Sequence, residues 1–179
     1  MPTFNSRGLR GSAFEDMVNR TNDIYRDKGL ALIQKVPTPI TPIEIDQKTR
    51  HITLAYFDHK STVDYIGACQ GIPICFDAKE SAVDTFSLQN IHDHQVEFMM
   101  DFKKQGGVAF FLIYYTNIEK MYFCPIEDMK FFTDRAKNGG RKSFRREELK
   151  EEYYLPKKTG VFVPYLDMID KYLSAKNST

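Results

Sequence analysis

Long apolar runs are missing from this chain: the longest, Val108 to Tyr115, falls far short of the ~20 residues a membrane helix needs. No basic-then-apolar leader stands at the start, so the cytoplasm is the expected location. Cysteine is scarce and odd in number. Cys69, Cys75 and Cys124 sit in apolar contexts without metal-ligand spacing, which speaks against a disulfide framework and predicts buried, reduced thiols. An excess of one charge is lacking too. With 25 Lys and Arg against 24 Asp and Glu, the formal net charge is +1, so any grip on nucleic acid must come from local patches. Repeats and low-complexity segments are absent. The 179 residues, 42% hydrophobic with a mean hydropathy of -0.44, suffice for a single domain over 1–179 with a real core. Its first ten residues are polar and expected to be mobile.

Ser12-Ala13-Phe14-Glu15 is a capping-box pattern, and Phe14, Met17, Val18, Thr21, Ile24 and Tyr25 follow at helical spacing until Gly29. Ala31 to Val36 reads as a strand, stopped by the prolines at 37, 39 and 42. Ile43 and Ile45, then Ile52, Leu54 and Tyr56, alternate on either side of the polar Asp46–Arg50 stretch. That pattern predicts a hairpin arm over 43–56 with little apolar surface, projecting from the core. A helix over Leu88–Gln105 is closed by Gly106-Gly107, and the apolar strand Val108–Tyr115 must be buried on both faces. Lys120–Cys124 continues as a neighbouring strand. Pro125 with Glu127 and Asp128 opens a short helix, and Pro164–Leu173 forms the last one. This order predicts an α/β sheet covered by helices.

The chemistry lies around one turn. Thr62-Val63-Asp64-Tyr65 and Phe76-Asp77-Ala78-Lys79 flank Gln70-Gly71, and pairing through that turn sets Asp64 opposite Asp77 and Thr62 opposite Lys79. Opposed side chains have Cβ atoms roughly 4.5–5.5 Å apart, so the two carboxylates repel unless a cation joins them. A divalent metal with water and phosphate oxygens suits that pair, and Lys79 adds a positive charge for a developing anion. The pattern reads as a metal-dependent phosphodiesterase site; a solvated strand salt bridge is the plainer alternative.

Gln95 shares the apolar stripe of Ile91, Phe98, Met99 and Phe102. Its amide either bonds a backbone carbonyl or turns its oxygen to the metal. Glu15 is explained by its capping box, or reaches the carboxylates if the first helix crosses the sheet near Asp64. His92 and His94, two apart on a helix, face different directions and make a poor metal pair; capping, packing or phosphate contact suits them better. Basic residues gather twice. Lys48, Arg50, His51, His59 and Lys60 lie on and below the arm; Lys137, Arg141, Lys142, Arg145 and Arg146 lie beside Gly139-Gly140. Glycine-flanked arginines suit phosphate, while the following Glu147, Glu148, Glu151 and Glu152 equally allow a solvated charged face.

Lys35-Val36-Pro37-Thr38-Pro39-Ile40, Ser61-Thr62-Val63-Asp64-Tyr65 and Phe76-Asp77-Ala78-Lys79-Glu80 resemble the RecU-type Holliday junction resolvases. Asn90-Ile91-His92-Asp93-His94-Gln95 and Gly139-Gly140-Arg141-Lys142-Ser143 continue the match in order, and Arg10-Gly11, Glu15 and Asn19-Arg20-Thr21-Asn22 begin it. The resemblance implies a branch of the PD-(D/E)xK nuclease superfamily. Its fold would be a restriction-endonuclease-like mixed sheet flanked by helices, with a projecting β-hairpin stalk, here the 43–56 arm. It implies homodimers that cut four-way DNA junctions symmetrically with Mg2+, which Mn2+ would replace, alongside other recombination proteins. By motif match Thr62, Asp64, Asp77 and Gln95 would be metal ligands and Lys79 would stabilise the transition state. Glu15 is grouped with the catalytic residues, and Lys48, Arg50, Arg141, Lys142, Arg145 and Arg146 with the DNA contacts. One departure stands out: the family usually has glutamate where this chain has Asp77, whose carboxylate is one methylene shorter. Two other functions stay open on the residues, a restriction-type endonuclease cutting linear duplex and a junction-binding protein without cleavage.

Overall fold

The structure, a computed structural model, describes residues 12–58 and 62–177. The expected mobile tail over 1–10, with the Arg10-Gly11 motif, and His59, Lys60 and Ser61 lie outside the described residues. Helix α1 (Ala13–Asp27) starts where its capping residues dictate: Ser12 Oγ accepts from the Glu15 N–H at 3.2 Å. Strand β1 (Ala31–Lys35) follows, then a ribbon of β2 (Ile40–Ile45) and β3 (Ile52–Phe57). Strands β4 (Tyr65–Cys69) and β5 (Ile72–Ser81) are joined by Gln70-Gly71, with φ of 48° and 87°. Positive φ at both central residues is the two-residue turn whose twist matches the strands it joins.

Short β6 (Thr85–Ser87) leads through a 3-10 turn at Leu88–Asn90 to α2 (Asp93–Lys104). Then come β7 (Val108–Tyr115), β8 (Lys120–Pro125), α3 (Ile126–Lys137), β9 (Ser143–Arg145), β10 (Tyr154–Leu155) and α4 (Tyr165–Asn177). The main sheet has the order β1-β4-β5-β7-β8-β10, with β5 and β7 parallel and the other neighbours antiparallel. This is the mixed sheet flanked by helices that the resemblance implied.

Strand β7 alternates between two cores. Phe110 and Leu112 face α1 and α4, whereas Ala109, Phe111 and Ile113 face α2 and α3. All five are essentially inaccessible, as a continuous apolar strand requires. On the α1 side, aromatic rings stack across four strands: Tyr65 on Phe76 at 4.7 Å, Phe76 on Phe110 at 4.9 Å and Phe110 on Phe123 at 4.4 Å. Such pairs add ~0.5–1.5 kcal/mol each beyond burial and pin the strand register. The three cysteines are unpaired thiols, and burial pushes Cys75 up to about 12. No helix among the described residues is long and apolar enough to cross a membrane.

Two expectations need correction. The helix expected from Leu88 begins at Asp93, because His92 is its N-cap and Gln95 Oε1 accepts from the His92 N–H at 3.2 Å. The arm expected over 43–56 is paired from Ile40 to Phe57, straight through Pro42. A two-stranded ribbon leaves one side of each strand unpaired, so proline there removes no ladder bond, and the register slips around Glu44. Nor is the ribbon poor in apolar surface. Ile40, Ile43, Ile45, Ile52, Leu54, Tyr56 and Phe57 are all exposed, Phe57 to 77%.

Candidate active site

The β4–β5 ladder pairs Tyr65 with Phe76 and Ile66 with Cys75, so one step further sets Asp64 across from Asp77. The ladder stops at Tyr65, and a side chain takes over: the Asp64 N–H donates to Asp77 Oδ1 at 2.7 Å. The Asp64 carbonyl accepts from the Val36 N–H at 2.8 Å, so β1 fixes Asp64 from the other side. Asp77 is fully buried. Its Oδ2 accepts from Gln95 Nε2 at 2.9 Å and lies 3.0 Å from Lys79 Nζ, which stands 3.7 Å from Asp64 Oδ2.

Charges this close shift one another. Burial and then the Asp77 charge push the Asp64 carboxyl above the usual carboxylate range, with Lys79 opposing them. Burial works against the Lys79 ammonium, but Asp77 and Asp64 outweigh it and hold its pKa above that of an ordinary lysine. The site therefore keeps a permanent cation beside two acids, one sealed and one open to solvent.

Gln95 bonds neither a backbone carbonyl nor points its oxygen at the acids. Its oxygen is taken by the His92 N–H and its nitrogen orients Asp77. Glu15 lies at the rim, ion-paired with Lys35 at 2.5 Å, and its charge raises the Asp64 carboxyl further. Thr62 is partly buried, separated from Asp64 by the buried Val63. His92 and His94 do not diverge: their rings stack at 5.5 Å and 12°. His92 precedes the helix, which frees it from helical spacing.

Two positions escaped the reading of the residues. Lys35 ends β1 against the site, and Glu80 Oε1 accepts from the Phe14 N–H at 3.0 Å, anchoring α1 to the strand that carries Lys79. A charged pair at alternating positions on β5, Lys79 and Glu80 on opposite faces, was the available signal.

The basic clusters differ in kind. Lys48 and Arg50 are exposed at the ribbon tip, which Asp46 shapes by accepting from the N–H groups of Lys48 at 2.8 Å and Thr49 at 3.3 Å. Lys142 and Arg145 are exposed, and Arg141 reaches Glu148 at 3.1 Å. Arg146 is held by partners within the protein. It donates to Tyr122 Oη at 3.4 Å and pairs with Glu147 at 2.9 Å and Asp84 at 3.7 Å, so it holds the β6–β9 pair onto β8.

Among the described residues no group of three or more His, Cys, Asp or Glu gathers into a metal cage. Asp64 and Asp77 nonetheless fit one divalent cation, because Asp64 carries an ionisation disfavoured by its surroundings that such a cation would relieve.

A mixed sheet that brings two carboxylates and a lysine to one point, between helices, has the layout of a nuclease. The family model described as Recombination protein U matches residues 9–171. The chain belongs to that family. It is 37% identical over 172 residues to the Holliday junction resolvase RecU of Limosilactobacillus reuteri, covering 93% of this chain and 84% of that one. The proteins of the same name from Pediococcus pentosaceus and Bacillus subtilis are each 38% identical, over 93% and 94% of this chain and 85% and 80% of theirs. The solved structure of Hjc, a Holliday junction resolvase of Archaeoglobus fulgidus, is similar at a TM-score of 0.38 and 13% identity, over 65% of this chain and 78% of that one.

Proposed function

We propose that this chain is a Mg2+-dependent, structure-selective endonuclease that resolves four-way DNA junctions as a homodimer in the cytoplasm, alongside other recombination proteins. The observation that carries the reading is the sealed Asp77 carboxylate, held 3.0 Å from Lys79 and tied to the backbone of the solvent-open Asp64. The names of its relatives supply the substrate class. Asp64 and Asp77 would hold the cation, which supplies charge neutralisation at the phosphate and a more acidic attacking water. Both are oxygen ligands, so Mn2+ would replace Mg2+.

The chain's own residues do the rest. Lys79, positive throughout the neutral range, neutralises charge that builds on the non-bridging phosphate oxygens. Gln95 and the Asp64 N–H keep Asp77 from turning, which preserves the geometry between turnovers. The exposed Lys48, Arg50, Arg141, Lys142 and Arg145 would grip phosphates. Two copies related by a two-fold axis would place two such sites on opposing strands.

Purified protein incubated with labelled four-way junction and with linear duplex, with and without Mg2+, tests this. Paired nicks in the junction alone, only with Mg2+, are expected. Cutting of duplex at one sequence, or junction binding without any cleavage, would sink the reading.

A further inference from the structure

The end of the sheet that carries the acids also carries a cavity that the cleavage reading leaves unused. Strands β5 and β7 run parallel, so α2, which returns from the end of β5 to the start of β7, has its N-terminus at the Asp77–Lys79 end. Strand β8 runs antiparallel to β7, so α3, which folds back along it, has its C-terminus at that same end. Between those two helix ends opens a cavity of about 270 Å³. Its apolar wall is made by Leu88, Ile91 and Ala136. Asp93 and Gln89 offer acceptors at its side, and Lys137 and Lys142 stand at the rim.

The size lies just below the ~300–1,000 Å³ of ordinary small-molecule pockets, and the wall is apolar enough for one ring system. Asp93 and Gln95, whose amide touches Asp77, both lie in the first turn of α2, so the cavity and the acids share the N-terminal end of that helix. The rim is not uniformly basic: Asp93 is ion-paired with Lys137 at 2.9 Å. A carboxylate beside an apolar slot suits an exocyclic amino group, as Asp accepts from cytosine N4, while Gln89 offers both a donor and an acceptor. Lys142, exposed beyond Gly139-Gly140, suits the phosphate of the same nucleotide.

We propose that this cavity receives an unstacked, amino-bearing nucleobase of the strand being cut, and so sets which sequence at the crossover is cleaved. The inference rests on the junction-cleaving reading. Base pairs at the centre of an open junction stack on one side only, so extruding one requires less than from intact duplex.

The test uses the full chain and a junction with 2-aminopurine placed at successive positions around the crossover, at saturating protein and in chelator. Fluorescence should rise at one or two positions as that base leaves the stack. Ala136→Phe, which plugs the slot, and Asp93→Ala, which removes the acceptor, should each cut that rise at least threefold at equal saturation, with melting curves confirming that both variants fold. In Mg2+, cut positions on a junction with a mobile core should spread in both variants. An equal fluorescence rise in wild type and both variants, or no rise at any position, would overturn the base-binding pocket. Absence of cleavage by the wild type would instead overturn the endonuclease reading and leave the fluorescence result to judge the pocket alone.

Discussion

The backbone N–H of Asp64 donates to Oδ1 of Asp77 across 2.7 Å, so each acid positions the other through the main chain rather than through a shared proton. One carboxylate is thereby locked inside the protein and the other left free to move. Burial first, and the nearby Asp77 charge second, disfavour ionisation of Asp64.

Asp64→Asn therefore trades activity for stability. Asp64's folded pKa is raised, so the folded state loses stability as pH climbs from the ordinary carboxylate pKa of ~3.9 through the raised value. Above that window the variant should melt higher than wild type, by about 2–4 °C per kcal/mol relieved. Cleavage should fall by at least ~100-fold, since one of two metal-holding acids is gone, while junction binding stays within a fewfold because phosphate contacts dominate it. Calorimetry at pH 7 checks the first point and gel-shift the last. A lower melting temperature would mean that Asp64 serves the fold.

Gln95→Ala removes the acceptor of the His92 N–H and a donor to buried Asp77 together. A loss of ~1–3 kcal/mol in stability is expected from the unsatisfied groups. The Mg2+ concentration for half-maximal cleavage should rise roughly 10–100-fold, as it does when a residue supporting a metal ligand is removed. Gln95→Glu should be worse, because a second carboxylate would face Asp77. Retained activity in Gln95→Glu would show that the side-chain oxygen serves the metal directly.

Asp77→Glu introduces the residue that the resemblance to the RecU-type resolvases implies at this position. The added methylene enters a site with no exposed surface and is expected to lower stability by ~1–3 kcal/mol. It also carries the carboxylate outward, past the Asp64 N–H, so half-maximal cleavage should need less Mg2+ than in wild type. Cleavage lost at every Mg2+ concentration would show that the surroundings have adapted to aspartate.

Glu127 stitches three helices at the end of the sheet away from the acids. In the first turn of α3, it accepts from Tyr172 Oη at 2.6 Å and pairs with Lys176 at 3.0 Å, both on α4, and with Lys103 at the end of α2. Burial opposes its charge, but these donors bring its pKa from the ordinary 4.5 to about 2. Its contribution is thus complete above pH 4.5 and lost as pH falls towards 2. Glu127→Gln should melt several degrees below wild type at pH 7, and the gap should close between pH 4.5 and 2. A gap independent of pH would assign the effect to packing.

Much of this was legible in the residues because it is local. Gln70-Gly71 set the register that opposes Asp64 and Asp77, and the apolar run Val108–Tyr115 announced a strand buried on both faces. What was not legible depended on a partner far along the chain. The bond from Gln95 to Asp77 spans 18 residues, and the one from Phe14 to Glu80 spans 66. The intramolecular partners of Arg146, Tyr122 and Asp84, likewise lie far from it along the chain. The ribbon misled for a different reason: seven large apolar residues with no core beneath them read as scattered when they share one exposed arm.

That arm gives the last test. Lys48 and Arg50 stand exposed at its tip, Arg50 at φ 57°, in a turn closed by the Arg50 N–H donating to the Asp46 carbonyl at 2.8 Å. A four-way junction differs from duplex in the opening at its crossover, and a narrow two-stranded ribbon with a basic tip can enter that opening where a flat surface cannot. Replacing Lys48 and Arg50 together by alanine should weaken junction binding much more than duplex binding. The dependence of log Kd on log salt should flatten by roughly one unit per lost phosphate contact. Melting should hardly move, because exposed side chains away from the core contribute within about 0.5 kcal/mol. Titration of both DNAs across a salt series measures all three. If the double variant kept the wild-type preference for junction, the ribbon tip would not be the reader, and selectivity would pass to Arg141, Lys142 and Arg145.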